Sequence, residues 1–106
     1  MENITVEELK SRLDAGEQLH VLDVREANEF EEANIGATLL PLSQLRNMDT
    51  DAIDDWKGEE VIVHCRSGVR SVQACQLLES MGFVKTVNVT GGILDWQAKF
   101  GDAKIG

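Results

Sequence analysis

The chain has 106 residues, of which 42% are hydrophobic and 27% charged, and this composition favours one compact domain over residues 1–106 and excludes a disordered chain. Its 19 acidic and 10 basic residues give a net charge of −9, which argues against nucleic acid or an anionic membrane as the main partner. No run approaches the roughly 20 apolar residues of a membrane span. Two cysteines do not make a disulfide framework or a zinc pattern, so we expect no metal and a reducing cytoplasm.

Short apolar segments alternate with helical patterns along the chain. Thr5 and Glu8 have the spacing of a capping box, which predicts a helix ending near Gly16. Strands are predicted at residues 19–24, 61–64 and 86–89, with a brief extended piece between Gly36 and Pro41. Further helices or helical turns are predicted at residues 28–33, 43–48, 51–56, 71–81 and 93–100. Apolar strands that alternate with helices predict an α/β fold with a central parallel sheet and helices on both faces.

The segment from Cys65 to Arg70 follows a strand and precedes a helix. Ligands of open parallel sheets bind at the carboxyl ends of strands, and a tight loop entering a helix turns its backbone N–H groups inward. Gly68 permits the positive φ that such a loop needs, and Arg66 and Arg70 add positive charge. These features predict a lowered thiol pKa and a nucleophilic Cys65, the alternative being a half-buried structural cysteine. Cys75 lies on the apolar face of the following helix, and we expect it in the core.

Residues 65–71, with the sequence CRSGVRS, resemble the active-site loop of the rhodanese family of sulfurtransferases. Other segments are similar to family motifs in the same order: DVRE at 23–26, EF at 29–30, GA at 36–37 leading to Pro41, GF at 82–83, and GGI at 91–93 with Trp96. The resemblance covers nearly the whole chain. It implies a single rhodanese-like domain, sulfur transfer through a persulfide on the catalytic Cys65, and no further cofactor.

Within this resemblance, the loop residues that follow Cys65 would bind the substrate: Arg66, Ser67, Gly68, Val69 and Arg70. The two arginines would hold the sulfonate end of a donor such as thiosulfate, or alternatively pair with nearby acids. Asp23, Arg25 and Ser71 would support the loop from behind, although a structural salt bridge is the more ordinary role of the first two. Some thiosulfate-specific members carry lysine at the position of Ser67, which counts against efficient use of thiosulfate here.

The expected partners are a small anionic sulfur donor and an acceptor that is cyanide, a thiol or a protein, with the chain a monomer by default. An alternative is a carrier or recognition module that delivers sulfur to a partner protein or only binds it. A phosphatase or arsenate reductase is a poorer alternative, because tyrosine-phosphatase-type loops place five residues between Cys and Arg. Here four residues separate Cys65 from Arg70.

Overall fold

A computed structural model describes residues 1–105 of the chain. Its centre is a five-stranded sheet in which every neighbouring pair of strands is parallel, in the order β1-β5-β4-β2-β3. The strands are β1 (Glu2–Ile4), β2 (His20–Asp23), β3 (Thr38–Leu39), β4 (Glu60–His64) and β5 (Lys85–Val89). The predicted α/β class and parallel sheet are confirmed. The strand β1 was not predicted. It is a three-residue strand at the edge of the sheet, mostly exposed, and its sequence contains no run of apolar residues that would mark it as a strand.

Helices cover both faces of the sheet, as the alternation of elements predicted. They are α1 (Val6–Asp14), α2 (Ala27–Glu32), α3 (Leu42–Arg46), α4 (Val69–Ser80) and α5 (Gly92–Phe100), together with a 3₁₀ helix at Asp51–Trp56. The Thr5–Glu8 capping box is present at the start of α1. The helical turn predicted at residues 43–48 is α3, which begins one residue earlier, directly after Pro41, and ends at Arg46.

Two apolar clusters form the core, one on each face of the sheet, and alternate residues of β4 belong to each. Val61 and Val63 pack towards α3 and α4, whereas Ile62 packs towards α1 and α5. This division follows from the period of two along a strand. Cys75 is fully buried in the first cluster, as predicted, and Trp96 is buried in the second.

The fold brings the carboxyl ends of β2, β4 and β5 to one edge of the sheet. The loop after β4 therefore lies beside the loop after β5, and α4 and α5 begin there on opposite faces. None of the helices within residues 1–105 is long and apolar enough to cross a membrane.

Candidate active site

Cys65 is the first residue after β4, and α4 begins four residues later, at Val69 rather than near residue 71 as predicted. The reversal is tight because Gly68 adopts φ +103°, a conformation that residues with a Cβ rarely take. The backbone N–H of Gly68 donates to Cys65 Sγ at 3.1 Å, and the N–H of Ser71 donates to it at 3.3 Å. The inward-facing amides expected of this loop are therefore present.

The pKa of the Cys65 thiol lies below its ordinary value. Burial raises this pKa, but the Ser71 hydroxyl and the backbone N–H groups of Ser71, Gly68 and Ser67 stabilise the thiolate and outweigh burial. Cys75 is the opposite case, because burial raises its thiol pKa to about 11. Of the two thiols, only Cys65 has an environment that favours a nucleophile near neutral pH.

The loop closes over its own cysteine, since Cys65 is only 1% exposed. The side chains of Arg66, Ser67 and Val69 are exposed around it. A reagent therefore has to reach Sγ with a narrow reactive end, through the ring of loop residues.

The first turn of α5 holds the loop in this shape from the other side. Ile93 N–H donates to the carbonyl of Cys65 at 2.9 Å, and Leu94 N–H donates to the carbonyl of Arg66 at 3.1 Å. These amides have no partner within their own helix, as is usual in the first turn. Since they fix the loop carbonyls outward, the loop N–H groups stay turned towards the sulfur. The sequence indicated a turn at Gly91 and Gly92 but not this contact.

Arg70 does not point freely into the loop. Its guanidinium donates to both carboxylate oxygens of Glu29, at 2.6 and 2.8 Å. Of the two roles predicted for Arg70, the structure therefore contains the second, an ion pair with a nearby acid. Arg66 is exposed and borders a cleft of about 310 Å³ between α2 and α5, whose lining also includes Glu29, Glu32 and Leu94.

The Arg70–Glu29 pair gives a pH-dependent prediction. It holds the pKa of Glu29 at about 2, below the ordinary 4.5, so its contribution to stability is complete above pH 4.5 and is lost as the pH falls towards 2. We expect Glu29→Gln to lower the free energy of unfolding at neutral pH by about 1 kcal/mol or less, because the pair is partly exposed. Urea unfolding at several pH values should show this difference shrinking below pH 4.5. The control Glu31→Gln, on the same helix, should show no such trend; a deficit that stays constant down to pH 2 would contradict the assignment.

Asp23 and Arg25 form a buried ion pair at the end of β2, with Arg25 Nη2 2.8 Å from Asp23 Oδ2. Arg25 also donates to the carbonyl of Ala33 at 2.8 Å, which ties the end of α2 to the sheet. Neither side chain makes a hydrogen bond to the sulfur of Cys65. The pair supports the loop only indirectly, by fixing the helix that carries Glu29.

His64 directly precedes the cysteine and is buried. Its Nδ1 lies 3.3 Å from the carbonyl of Cys65, and its Nε2 lies 3.7 Å from Asp23 Oδ2. Burial lowers the pKa of this histidine, with the Asp23 carboxylate opposing the shift. The imidazole ring therefore contacts the backbone of Cys65 and not its sulfur, and its lowered pKa favours the neutral form, so its role is structural. Within residues 1–105, no three His, Cys, Asp or Glu side chains come together as metal ligands.

Comparison with known proteins gives a consistent picture. The family model of the rhodanese-like domain matches residues 5–99. The chain is 37% identical to the Bacillus subtilis protein named "Putative sulfurtransferase YtwF", over 93% of each chain. It is 35% identical to "Putative sulfur carrier protein YrkF" of the same organism, covering 91% of this chain but only 51% of that protein. The solved structure of the human single-domain sulfurtransferase TSTD1 superposes with a TM-score of 0.78 at 28% identity, over 93% of this chain and 97% of that one.

Proposed function

We propose that this chain, which belongs to the family of rhodanese-like domains, transfers a sulfane sulfur through a persulfide on Cys65. Sulfur transfer in general is what the family and the names of its relatives support. The observation that carries the finer proposal is the pair of backbone N–H groups, from Gly68 and Ser71, directed at Sγ.

The first step uses a small anionic donor such as thiosulfate. The Cys65 thiolate attacks the outer sulfur, a new S–S bond forms, and the bond from that sulfur to the sulfonate breaks. The electron pair of the broken bond leaves with sulfite. The persulfide that remains carries negative charge on its terminal sulfur, where loop N–H groups stabilise it.

The second step returns the enzyme to its starting state. An acceptor thiolate or cyanide attacks the terminal sulfur, and the Cys65–sulfur bond breaks with its electron pair returning to Sγ. No metal or organic cofactor takes part in either step. The chemistry requires a reduced cysteine, so we place the protein in a reducing compartment such as the cytoplasm; both cysteines are free.

Arg66 is the positive group we assign to the sulfonate of the donor. It is exposed at the loop, whereas Arg70 is engaged by Glu29. Ser67, Gly68 and Val69 contribute backbone to the ring around the sulfur. The 1% exposure of Cys65 favours a reagent that presents a single sulfur atom over a tetrahedral phosphoryl group.

A substrate comparison tests the proposal. We expect the purified protein to convert thiosulfate and cyanide to thiocyanate and sulfite, and to leave p-nitrophenyl phosphate untouched. Replacing Ser67 with lysine should raise the rate with thiosulfate several-fold, because a second cation would lie beside the donor, whereas Ser67→Met should not. Hydrolysis of the phosphate ester without thiocyanate formation would overturn the assignment.

Delivery of sulfur to a protein acceptor is a second candidate. Val69 and Leu94 are apolar side chains that are 66% and 42% exposed at the loop and at the first turn of α5, where a protein could pack over the persulfide. In this case the protein takes up one sulfur from the donor but turns over slowly with cyanide.

A further inference from the structure

Ser71 has one hydroxyl proton and two groups that compete for it. Its Oγ lies 3.4 Å from Cys65 Sγ, and it also donates a short hydrogen bond to Asn88 Oδ1. While the proton points to Asn88, the hydroxyl offers Cys65 only lone pairs. In that arrangement it accepts the S–H of the thiol and cannot stabilise the thiolate.

Asn88 is itself held in place from the far side. It lies on β5, is 3% exposed, and donates from Nδ2 to Asn3 Oδ1 at 3.1 Å. Asn3 lies on the edge strand β1 and is exposed. A continuous line of hydrogen bonds therefore runs from solvent through Asn3, Asn88 and Ser71 to the sulfur.

This line has two possible directions, because an amide has a donor end and an acceptor end. If the Asn88 amide turns over, its Nδ2 donates to Ser71 Oγ and its Oδ1 faces Asn3. Asn3 is exposed and can turn as well, so that its own Nδ2 donates to Asn88. The Ser71 proton is then free to point at Sγ, and each group remains hydrogen-bonded.

We propose that Asn88 is a positioning residue that sets the direction of the Ser71 hydroxyl, and that the coupled turn of Asn88 and Asn3 accompanies the change of Cys65 from thiol to thiolate. The inference rests on the proposed function only in that Cys65 is its nucleophile. Only in the reversed direction can the Ser71 hydroxyl donate to the Cys65 thiolate. Sequence reasoning placed Ser71 behind the loop but gave Asn88 and Asn3 no role.

The other titratable groups near Cys65 do not replace this relay. Arg70, from the first turn of α4, is paired with Glu29, and the Cys75 thiol has a raised pKa and stays protonated near neutral pH. From β4, the His64 ring faces the carbonyl of Cys65 and not its sulfur, and behind it Asp23 is paired with Arg25.

Two nearly isosteric substitutions of Asn88 test the proposal because they predict opposite signs. Asn88→Asp leaves acceptors only, which keeps the Ser71 proton away from the sulfur and should raise the pKa of Cys65. Asn88→Leu removes the competing acceptor and should lower it. The rate of iodoacetamide alkylation against pH, in a Cys75→Ser background, reads the pKa without any sulfur-transfer step. At neutral pH we expect alkylation about tenfold slower for Asn88→Asp, the value of one charge-assisted hydrogen bond, and faster than wild type for Asn88→Leu.

The same measurement in a Ser71→Ala background separates a relay from a general disturbance. In that background Asn88→Leu should no longer change the pKa of Cys65. Asn88→Asp should raise this pKa only as much as the negative charge of the new carboxylate does by itself. If a substitution at Asn88 prevents folding, Asn3→Asp and Asn3→Ala on the exposed edge strand should give the same pair of signs, again only when Ser71 is present. Shifts of equal sign, or shifts that persist without Ser71, would overturn the proposal. If the two substitutions shift the pKa of Cys65 in opposite directions as expected, but the wild-type protein does not transfer sulfur, the proposed function is refuted and the role of Asn88 is not.

Discussion

Cys65→Ser should lose the ability to take up sulfur from a donor. A serine hydroxyl has a far higher pKa than a thiol and cannot form a persulfide, so we expect turnover with thiosulfate and cyanide to fall more than about a thousandfold. Intact mass after incubation with thiosulfate should show a gain of about 32 Da, one sulfur atom, on the wild type and no such gain on Cys65→Ser. The fold should survive, because serine retains the size of the side chain.

Cys75→Ser is the matched control. Its thiol is fully buried, has a pKa raised to about 11, and receives no loop amide. The Cys75→Ser protein should still gain one sulfur, although a buried hydroxyl lowers its stability. If the adduct persists in Cys65→Ser, or is lost in Cys75→Ser, then Cys65 is not the residue that carries the sulfur and the proposed mechanism is wrong.

Gly92→Ala should disrupt the active-site loop as strongly as any change outside it. Gly92 has φ +56°, and a Cβ there would collide with the carbonyl oxygen of Cys65 and lie 2.6 Å from the carbonyl oxygen of Arg66. Backbone cannot move aside as a flexible side chain can, so either α5 or the loop must shift. Strain and overpacking together predict a loss of about 2–5 kcal/mol in the free energy of unfolding.

The consequence for the site is separate from the consequence for stability. When α5 retreats, the N–H groups of Ile93 and Leu94 release the loop carbonyls, and the loop amides no longer converge on Sγ. We therefore expect the pKa of Cys65 to rise in Gly92→Ala. Urea unfolding and the pH dependence of alkylation measure the two effects.

Gly82→Ala is the control for backbone strain alone. Gly82 also has a positive φ, +98°, but a Cβ there meets nothing within 4 Å. We expect a loss of about 1 kcal/mol and an unchanged Cys65 pKa. Equal losses in the two variants, with no change at Cys65, would contradict a bracing role for the start of α5.

The parallel sheet and the position of the nucleophile were predictable because they depend on local pattern. Continuous apolar runs such as residues 61–64 predict buried strands, and the order strand, Cys65, Gly68, helix predicts a loop of inward N–H groups. The core position of Cys75 followed from helical spacing.

The contacts that hold the active-site loop and its neighbouring side chains in place were not predictable, because each joins distant parts of the chain. The α5 amides meet the carbonyl of Cys65 only through the parallel pairing of β4 with β5. Glu29 reaches Arg70 from 41 residues away, and Asn88 meets Asn3 from 85 away. Polar residues within a strand gave no signal of their partners, and the edge strand β1 had no apolar run to mark it.

The central claim is that loop amides hold the sulfur of Cys65 as a thiolate. In Cys75→Ser, where Cys65 is the only thiol, ultraviolet absorbance against pH follows its ionisation directly. We expect a midpoint clearly below that of free cysteine. A midpoint at or above the free value would contradict it, whatever the protein's activity.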